Sequence, residues 1–384
     1  MRQKLHRGKR PVFRKRNPAL RIIGTVVVVF VIVAGGFFGA KFITEHPQTA
    51  PIPGTQVEQS TAPTTTAKPT TKPKEETATL TTVRAFYLPF SALQKEDLSD
   101  TLAKAKKAGF NSVVFELKDA EGNLYYRSST DYAAKVDGYA EKALTKKQLK
   151  SLFALIRKAG LAPIPRLYAF KDNVGSRALV DARIAYKGNP SWAWYDGIKD
   201  NGAKTWLNPY DNDAHDYISG LAVELKKLGA GAILLDGVQF PNPAVTGQAD
   251  FGKDNAKLKW DEVLTLFVSK TKKKLGKECP LILACTAESA LGTATQVYGG
   301  NPLTFAPTMA SPTLTAEAVQ ESVKTMILRT KVMEEADKPA LSPALDIQGL
   351  SAKQVKAMMA DCAAGGADSF ILYHPNGDYN FGAY

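Results

Sequence analysis

Cysteine is scarce. Cys279, Cys285 and Cys362 are the only three in 384 residues, and an odd number cannot form a complete disulfide framework. Cys279 and Cys285 lie six positions apart in one apolar run, roughly 20 Å if extended, which is too far to bridge. Buried free thiols are the expectation. Histidine is scarce as well: His6, His46, His215 and His374 are scattered, with no HExxH and no paired-cysteine spacing. No metal site is expected. A P-loop, a G-x-S-x-G elbow and the glycine-rich first βα turn of a dinucleotide fold are also missing, so no cofactor is expected.

Acidic residues are absent from the first 21 positions, which carry Arg2, Lys4, Arg7, Lys9, Arg10, Arg14, Lys15, Arg16 and Arg21. Those nine charges account for most of the net +13 and leave the rest of the chain near +4. The basic excess is a local tail rather than a surface for nucleic acid, and no nucleic-acid partner is expected. The next 19 positions, Ile22–Ala40, hold no charge. As a helix they would span about 28 Å, the thickness of a bilayer's hydrocarbon core. The run has no polar face, and its basic flank places the N-terminus in the cytoplasm. A cleaved signal peptide competes with this reading, but the run is long for one, and a cut after Ala40 would put bulky Phe38 where a small residue is needed. Residues 1–21 thus read as a cytoplasmic tail and 22–43 as a transmembrane anchor in the cell membrane, with the C-terminal domain outside the cytoplasm. Residues 44–80 nearly lack large apolar side chains and are rich in Thr, Pro, Ser and Gln. That composition cannot bury a core and reads as a disordered linker.

Residues 81–384 alternate short apolar runs with amphipathic helices. Strands are expected at Val83–Phe90, Ser112–Lys118, Ala162–Phe170, Ala232–Val238, Pro280–Thr286, Leu303–Thr308, Ala340–Asp346 and Ser369–His374. Helices are expected at Leu98–Ala108, Lys146–Ala159, Asp213–Leu228, Trp260–Leu275, Ala316–Glu334 and Ala352–Ala363, with a further one near Arg177–Tyr186. Glycines at 109, 160, 229, 276 and 366 stand between a helix and the next strand, where a helix-terminating residue belongs. Eight strands with intervening helices predict an α/β fold, a (β/α)₈ TIM barrel, with a doubly wound sheet as the alternative.

In such a barrel, chemistry sits at the carboxyl ends of the strands. Reading those ends gives Glu116, Lys118 and Asp119 on the second strand, Arg166 and Tyr168 on the third, and Asp236 with Gln239 beyond it on the fourth. Glu288 follows the fifth strand, and Asp346 and His374 end the seventh and eighth. Several carboxylates converging on one mouth are what glycosidic cleavage requires: one protonates the leaving oxygen, the other attacks or activates water. Asp236 is the candidate nucleophile or base, Glu288 the general acid, and Asp346 a stabilising carboxylate. Asp236 follows four apolar residues, and burying its charge is costly unless it is paired or functional. The competing role is a structural ion pair with Arg166 or Lys118. Asp346 has capping of the next turn as its alternative, and Glu116 a mouth ion pair with Lys118. Tyr168, Phe170, Trp192, Trp194, Trp206 and Tyr210, then Tyr373 and Tyr379, cluster in the connections, either to stack on sugar faces or to fold a small core of their own.

The segment WLNPYDNDAHDYISGLAVELKKLGAGAILLDGVQFP resembles the putative glycosyl hydrolase domain of bacterial surface proteins. That family is a barrel distantly similar to α-amylase-type hydrolases. Its pattern Trp-x-Asn-Pro-Tyr, helix, strand, Asp-Tyr-x-Arg-Phe-Pro is matched at Trp206, Asn208, Pro209, Tyr210, Asp236, Phe240 and Pro241. Weaker likeness covers most of residues 81–384. The resemblance implies hydrolysis of a polysaccharide or peptidoglycan-type glycan. Together with the strand-end reading, it makes Glu116, Lys118, Arg166, Tyr168, Trp206, Asn208, Tyr210, Gln239 and His374 candidate substrate-binding residues. Two departures stand out: Gly237 and Gln239 replace the family's Tyr and Arg, and Thr286 stands where it often has an Asp. A non-catalytic barrel that binds glycan or a partner protein at the envelope is the alternative.

Overall fold

The computed structural model describes residues 79–252 and 257–384. The expected tail, anchor and nearly all of the linker lie outside the described residues. Among those described, no helix is long and apolar enough to cross a membrane.

Eight parallel strands form a closed ring: β1 (Arg84–Leu88), β2 (Ser112–Lys118), β3 (Ala162–Tyr168), β4 (Ile233–Asp236), β5 (Leu281–Thr286), β6 (Met309–Leu314), β7 (Ala344–Asp346) and β8 (Phe370–Tyr373). Each pairs with its neighbour in chain order, and β1 closes the ring by pairing with both β2 and β8. The long helices are α1 (Leu98–Lys107), α2 (Lys146–Lys158), α3 (Asn212–Leu228), α4 (Trp260–Leu275), α5 (Val319–Thr330) and α6 (Ala352–Ala364). The α2 segment shows why these residues fold this way. Leu149, Leu152, Phe153 and Ile156 fall at i, i+3, i+4 and i+7 and are all buried. Thr145 and Gln148 cap its start reciprocally. At the other end of α3, Gly229 takes φ +111°, a conformation costly for any residue with a Cβ.

Side chains alternate across the barrel wall. Ala85, Val114, Ile164, Leu234, Ile282 and Ile371 fill the lumen, and their neighbours Phe86, Phe115, Leu235 and Leu372 join the shell under the helices. The three cysteines are free and buried.

Three expected elements move. The segment Leu303–Thr308 is not the sixth strand. Asn301 caps a 3₁₀ turn at Pro302–Phe305 that ends with Ala306 at φ +55°. Proline at the first position and an Asn cap favour that turn over a strand. The true strand reads MASPTL, whose Pro and small polar residues give little apolar signal. The seventh strand is split, with Ala340–Leu341 and Ala344–Asp346 both pairing with β6 across a break at Ser342 and Pro343. In place of a helix near Arg177–Tyr186, a short helix covers Asn173–Ala178, where the Asp172 side chain accepts from Gly175 N. Ala185–Tyr186 is a strand instead, pairing antiparallel with Asn189–Ala193 and with Ala249–Asp250. This small sheet joins the connection after β3 to the connection after β4.

Candidate active site

Tyr87, Arg166, Asp236 and Tyr373 line a cavity of about 210 Å³ in the upper lumen, floored by Val114, Leu234 and Ile371. Each of these four polar groups lies two positions beyond a lumen residue on its strand, so the same alternation that packs the interior aims them inward. Glu116, two positions beyond Val114, joins them.

One guanidinium organises the group. Arg166 Nη1 donates to Glu116 Oε1 at 2.9 Å, and Nη2 and Nε donate to Asp236 Oδ2 at 2.7 and 3.1 Å. Asp236 Oδ1 accepts the Gly237 N–H at 2.6 Å. The Arg166 side chain is 17% exposed, Glu116 17% and Asp236 25%, so solvent reaches the ion network. Because both bonded oxygens contact nitrogens of one guanidinium, their separation cannot exceed roughly 8 Å, so the two carboxyl groups are near enough to flank one bond.

Burial pushes the Glu116 carboxyl above the ordinary value, with Arg166 pulling the other way. Burial opposes the charge on Arg166, but Asp236 and Glu116 together hold it firmly protonated. Burial also raises Tyr168, to about 12, and pushes Tyr87 higher still. These phenols remain neutral donors at physiological pH. Arg166 lies 5.6 Å from the Tyr87 ring centre and 5.7 Å from that of Tyr168. Gly237, at φ +61°, leaves room for Tyr168: a Cβ there would fall 2.2 Å from the ring. The departure from the family's Tyr at this position thus has a local cause.

The other candidates divide. Asp346 ends β7 half-buried, and its Oδ1 accepts from Gln348 N at 3.1 Å. Glu288 is exposed in a four-residue helix just past β5. Gln239 is half-buried beyond β4. His374 accepts from Asp378 N through Nδ1 and packs on Tyr379. Asp119 accepts from Glu121 N, Asn123 N and the Tyr125 hydroxyl, which shapes its own loop.

Lys118 is not at the mouth. Its register with β3 shifts between Glu116 and Lys118, and it lies on the helix side of the wall, 5.9 Å from the Tyr217 ring of α3. There it pairs with Asp172 at 2.8 Å, both fully buried, and donates to Tyr168 O. Glu116 therefore pairs with Arg166 rather than with Lys118. The Trp-x-Asn-Pro-Tyr segment also turns inward. Trp206 is buried and donates to Asp196. Buried Asn208 donates to Phe251 O and accepts from Tyr210 N. The Tyr210 hydroxyl donates to Leu258 O. These three residues fasten the loops at the start of α3, whose first turn is capped by Asp211.

The ring of Tyr373, one of the clustered aromatics, lies with its centre 5.0 Å from that of Tyr87. Tyr87 is the residue that the strand ends do not nominate, although it lies two positions past Ala85, which alternation assigns to the lumen.

Residues 85–285, just over half the chain, match the family described as a putative glycosyl hydrolase domain. No curated protein matches the chain in sequence. Among solved structures it is similar to a hypothetical protein from Ruminiclostridium thermocellum, with 22% identity over 51% of this chain and 96% of that one and a TM-score of 0.44. It is similar to the alpha-galactosidase TtGalA from Thermus thermophilus, with 9% identity, 77% and 58% coverage and a TM-score of 0.48. A GH20 exo-beta-N-acetylglucosaminidase from Vibrio harveyi shows 13% identity, 69% and 41% coverage and a TM-score of 0.45. The chain spans less than two thirds of either enzyme's length. With the match running from β1 to the end of β5, the chain belongs to the putative glycosyl hydrolase domain family.

Proposed function

We propose that this chain is a membrane-tethered glycoside hydrolase whose barrel cleaves a cell-wall or extracellular polysaccharide outside the cytoplasm. The observation that carries the reading is the meeting of Glu116 and Asp236 on one guanidinium in a solvent-reached mouth. Burial favours the protonated form of Glu116, which suits it to give a proton to the glycosidic oxygen. Asp236, paired with Arg166, attacks the anomeric carbon or takes a proton from the attacking water. Asp346 supports positive charge developing on the ring, and neutral Tyr87, Tyr168 and Tyr373 donate to sugar hydroxyls. This division moves the acid role from exposed Glu288 to Glu116. Tethering rests on the charge-free run Ile22–Ala40 behind its basic flank.

The test is incubation of the full chain with a panel of polysaccharides, cell-wall glycan included, and assay of released reducing ends. Wild type releases products and Asp236→Asn loses at least about a hundredfold in rate. Equal rates for the two would overturn the assignment. A second reading, a barrel that binds glycan without cutting it, is favoured by one observation: Arg166 forms an ion pair with both carboxyl groups at once. Tight binding with no product from any glycan would support it.

A further inference from the structure

A second concavity among the described residues lies outside the barrel mouth. A groove of about 960 Å³ lies on the small sheet formed by Ala185–Tyr186, Asn189–Ala193 and Ala249–Asp250, and no carboxylate lines it. Its lining includes Arg177, Arg183, Lys199, Tyr186, Trp192 and Tyr195. Trp192 is 63% exposed, and Tyr186 stacks beside it with centroids 6.3 Å apart and planes 22° from parallel. A flat indole left in water on a two-ring platform is a surface made for another flat, partly apolar face.

The cations supply the second half of the recognition. Arg183 donates through Nη2 to Ser191 O at 2.7 Å, and its buried Nε has no partner. Exposed Lys199 stands 5.8 Å from the Tyr195 ring centre. Asp200, beside Lys199, is exposed, whereas other acids of the same loops are engaged elsewhere. Asp196 accepts from Lys204 N and Trp206 Nε1, and Asp250 accepts from Gly252 N. Asp181 lines a separate hollow on the other side of Arg183.

The groove's position relates it to the mouth. Its sheet joins the connections that follow β3 and β4, and those two strands carry Arg166, Tyr168 and Asp236 at their ends. The mouth, at about 210 Å³, is small for recognising a polymer, whereas the groove offers more than four times that space.

We infer that this groove is a binding site for a polyanionic glycan, a sugar chain bearing carboxylates or phosphates, whose rings stack on Trp192 and Tyr186 and whose charges meet Arg177, Arg183 and Lys199. The inference rests on the glycan reading of the mouth but not on cleavage there. The neutral phenols and carboxyl groups at the mouth meet the chain, and the groove selects it by charge.

The experiment is calorimetric titration of the full chain carrying Asp236→Asn, so that nothing is cut, with four probes: oligogalacturonate, polyglycerol phosphate, a neutral glucan oligomer and oligo(dT). The expected result is binding of oligogalacturonate or polyglycerol phosphate at least about tenfold tighter than of the neutral oligomer. The first two arms distinguish carboxylate from phosphate as the preferred anion. Trp192→Ala weakens that binding about tenfold and Trp192→Phe restores most of it. Arg177→Ala with Lys199→Ala lowers affinity and flattens its salt dependence. Equal affinity for neutral and anionic oligomers, no effect of Trp192→Ala in a protein with unchanged circular dichroism, or tighter binding of oligo(dT) would each overturn the inference. Wild type that cuts no glycan, while anionic binding still falls with Trp192→Ala, would defeat hydrolysis and leave the groove's role standing.

Discussion

Glu116 and Lys118 lie two positions apart on one strand, and each forms an ion pair with a residue of the β3 region, yet the two pairs differ in kind. Lys118 and Asp172 are wholly buried, and Gly122 closes over them so tightly that a Cβ would fall 1.9 Å from Asp172 Oδ1. Glu116, Arg166 and Asp236 keep about a sixth to a quarter of their side-chain surface in solvent. The register shift between Glu116 and Lys118 separates them. A regular strand would aim both side chains into the mouth, whereas the bulge sends Lys118 through the wall toward α3. Charge behind the wall fixes the loop after β3, while charge inside the wall stays within reach of a ligand.

The comparison can be broken by removing one member of each pair. Lys118→Met leaves Asp172 without its cation in a dry site, and a loss of about 3–5 kcal/mol is expected in urea unfolding. Arg166→Met is expected to cost less stability, because water reaches Glu116 and Asp236, but to abolish activity. A larger stability loss for Arg166→Met than for Lys118→Met would reverse the two roles.

His215 sharpens the same distinction. Its ring is buried against Phe170 and Phe267, with Nε2 donating to Pro209 O at 2.6 Å. Burial lowers its pKa from 6.5 to about 4. Because the folded-state value is depressed, the stability that the neutral ring contributes is complete above pH 6.5 and is lost as pH falls through about 4. Wild type should lose about 3 kcal/mol more than His215→Gln across that window. Parallel curves would show that the site is wetter than its packing. The mouth itself offers a further test. Gly237→Ala, forced to φ +61° and into the Tyr168 ring, should cost about 2–4 kcal/mol by calorimetry.

Where one period governs a segment, sequence and structure coincide: β2 and α4 occupy the expected Ser112–Lys118 and Trp260–Leu275. The departures fall where that period breaks. A proline-bearing strand of small residues hid β6, because its lumen positions Ser311 and Thr313 are polar. A bulge displaced Lys118. Glu116, Arg166, Tyr168 and Asp236 were legible because the ends of alternating strands point at one place. The three tryptophans between residues 192 and 206 look alike in sequence and separate only in space: Trp194 and Trp206 are buried, and Trp192 is exposed. Their packing depends on a small antiparallel sheet assembled from two distant loops, which no local pattern announces.

Catalysis by a Glu116–Asp236 pair is tested most directly by comparing reducing-end release by Glu116→Gln, Asp236→Asn and Glu288→Gln in the full chain at matched folded concentration. Losses of about 10²–10⁴-fold are expected for the first two, with Glu288→Gln near wild type. An inactive Glu288→Gln beside an active Glu116→Gln would contradict the pairing and return the acid role to the rim.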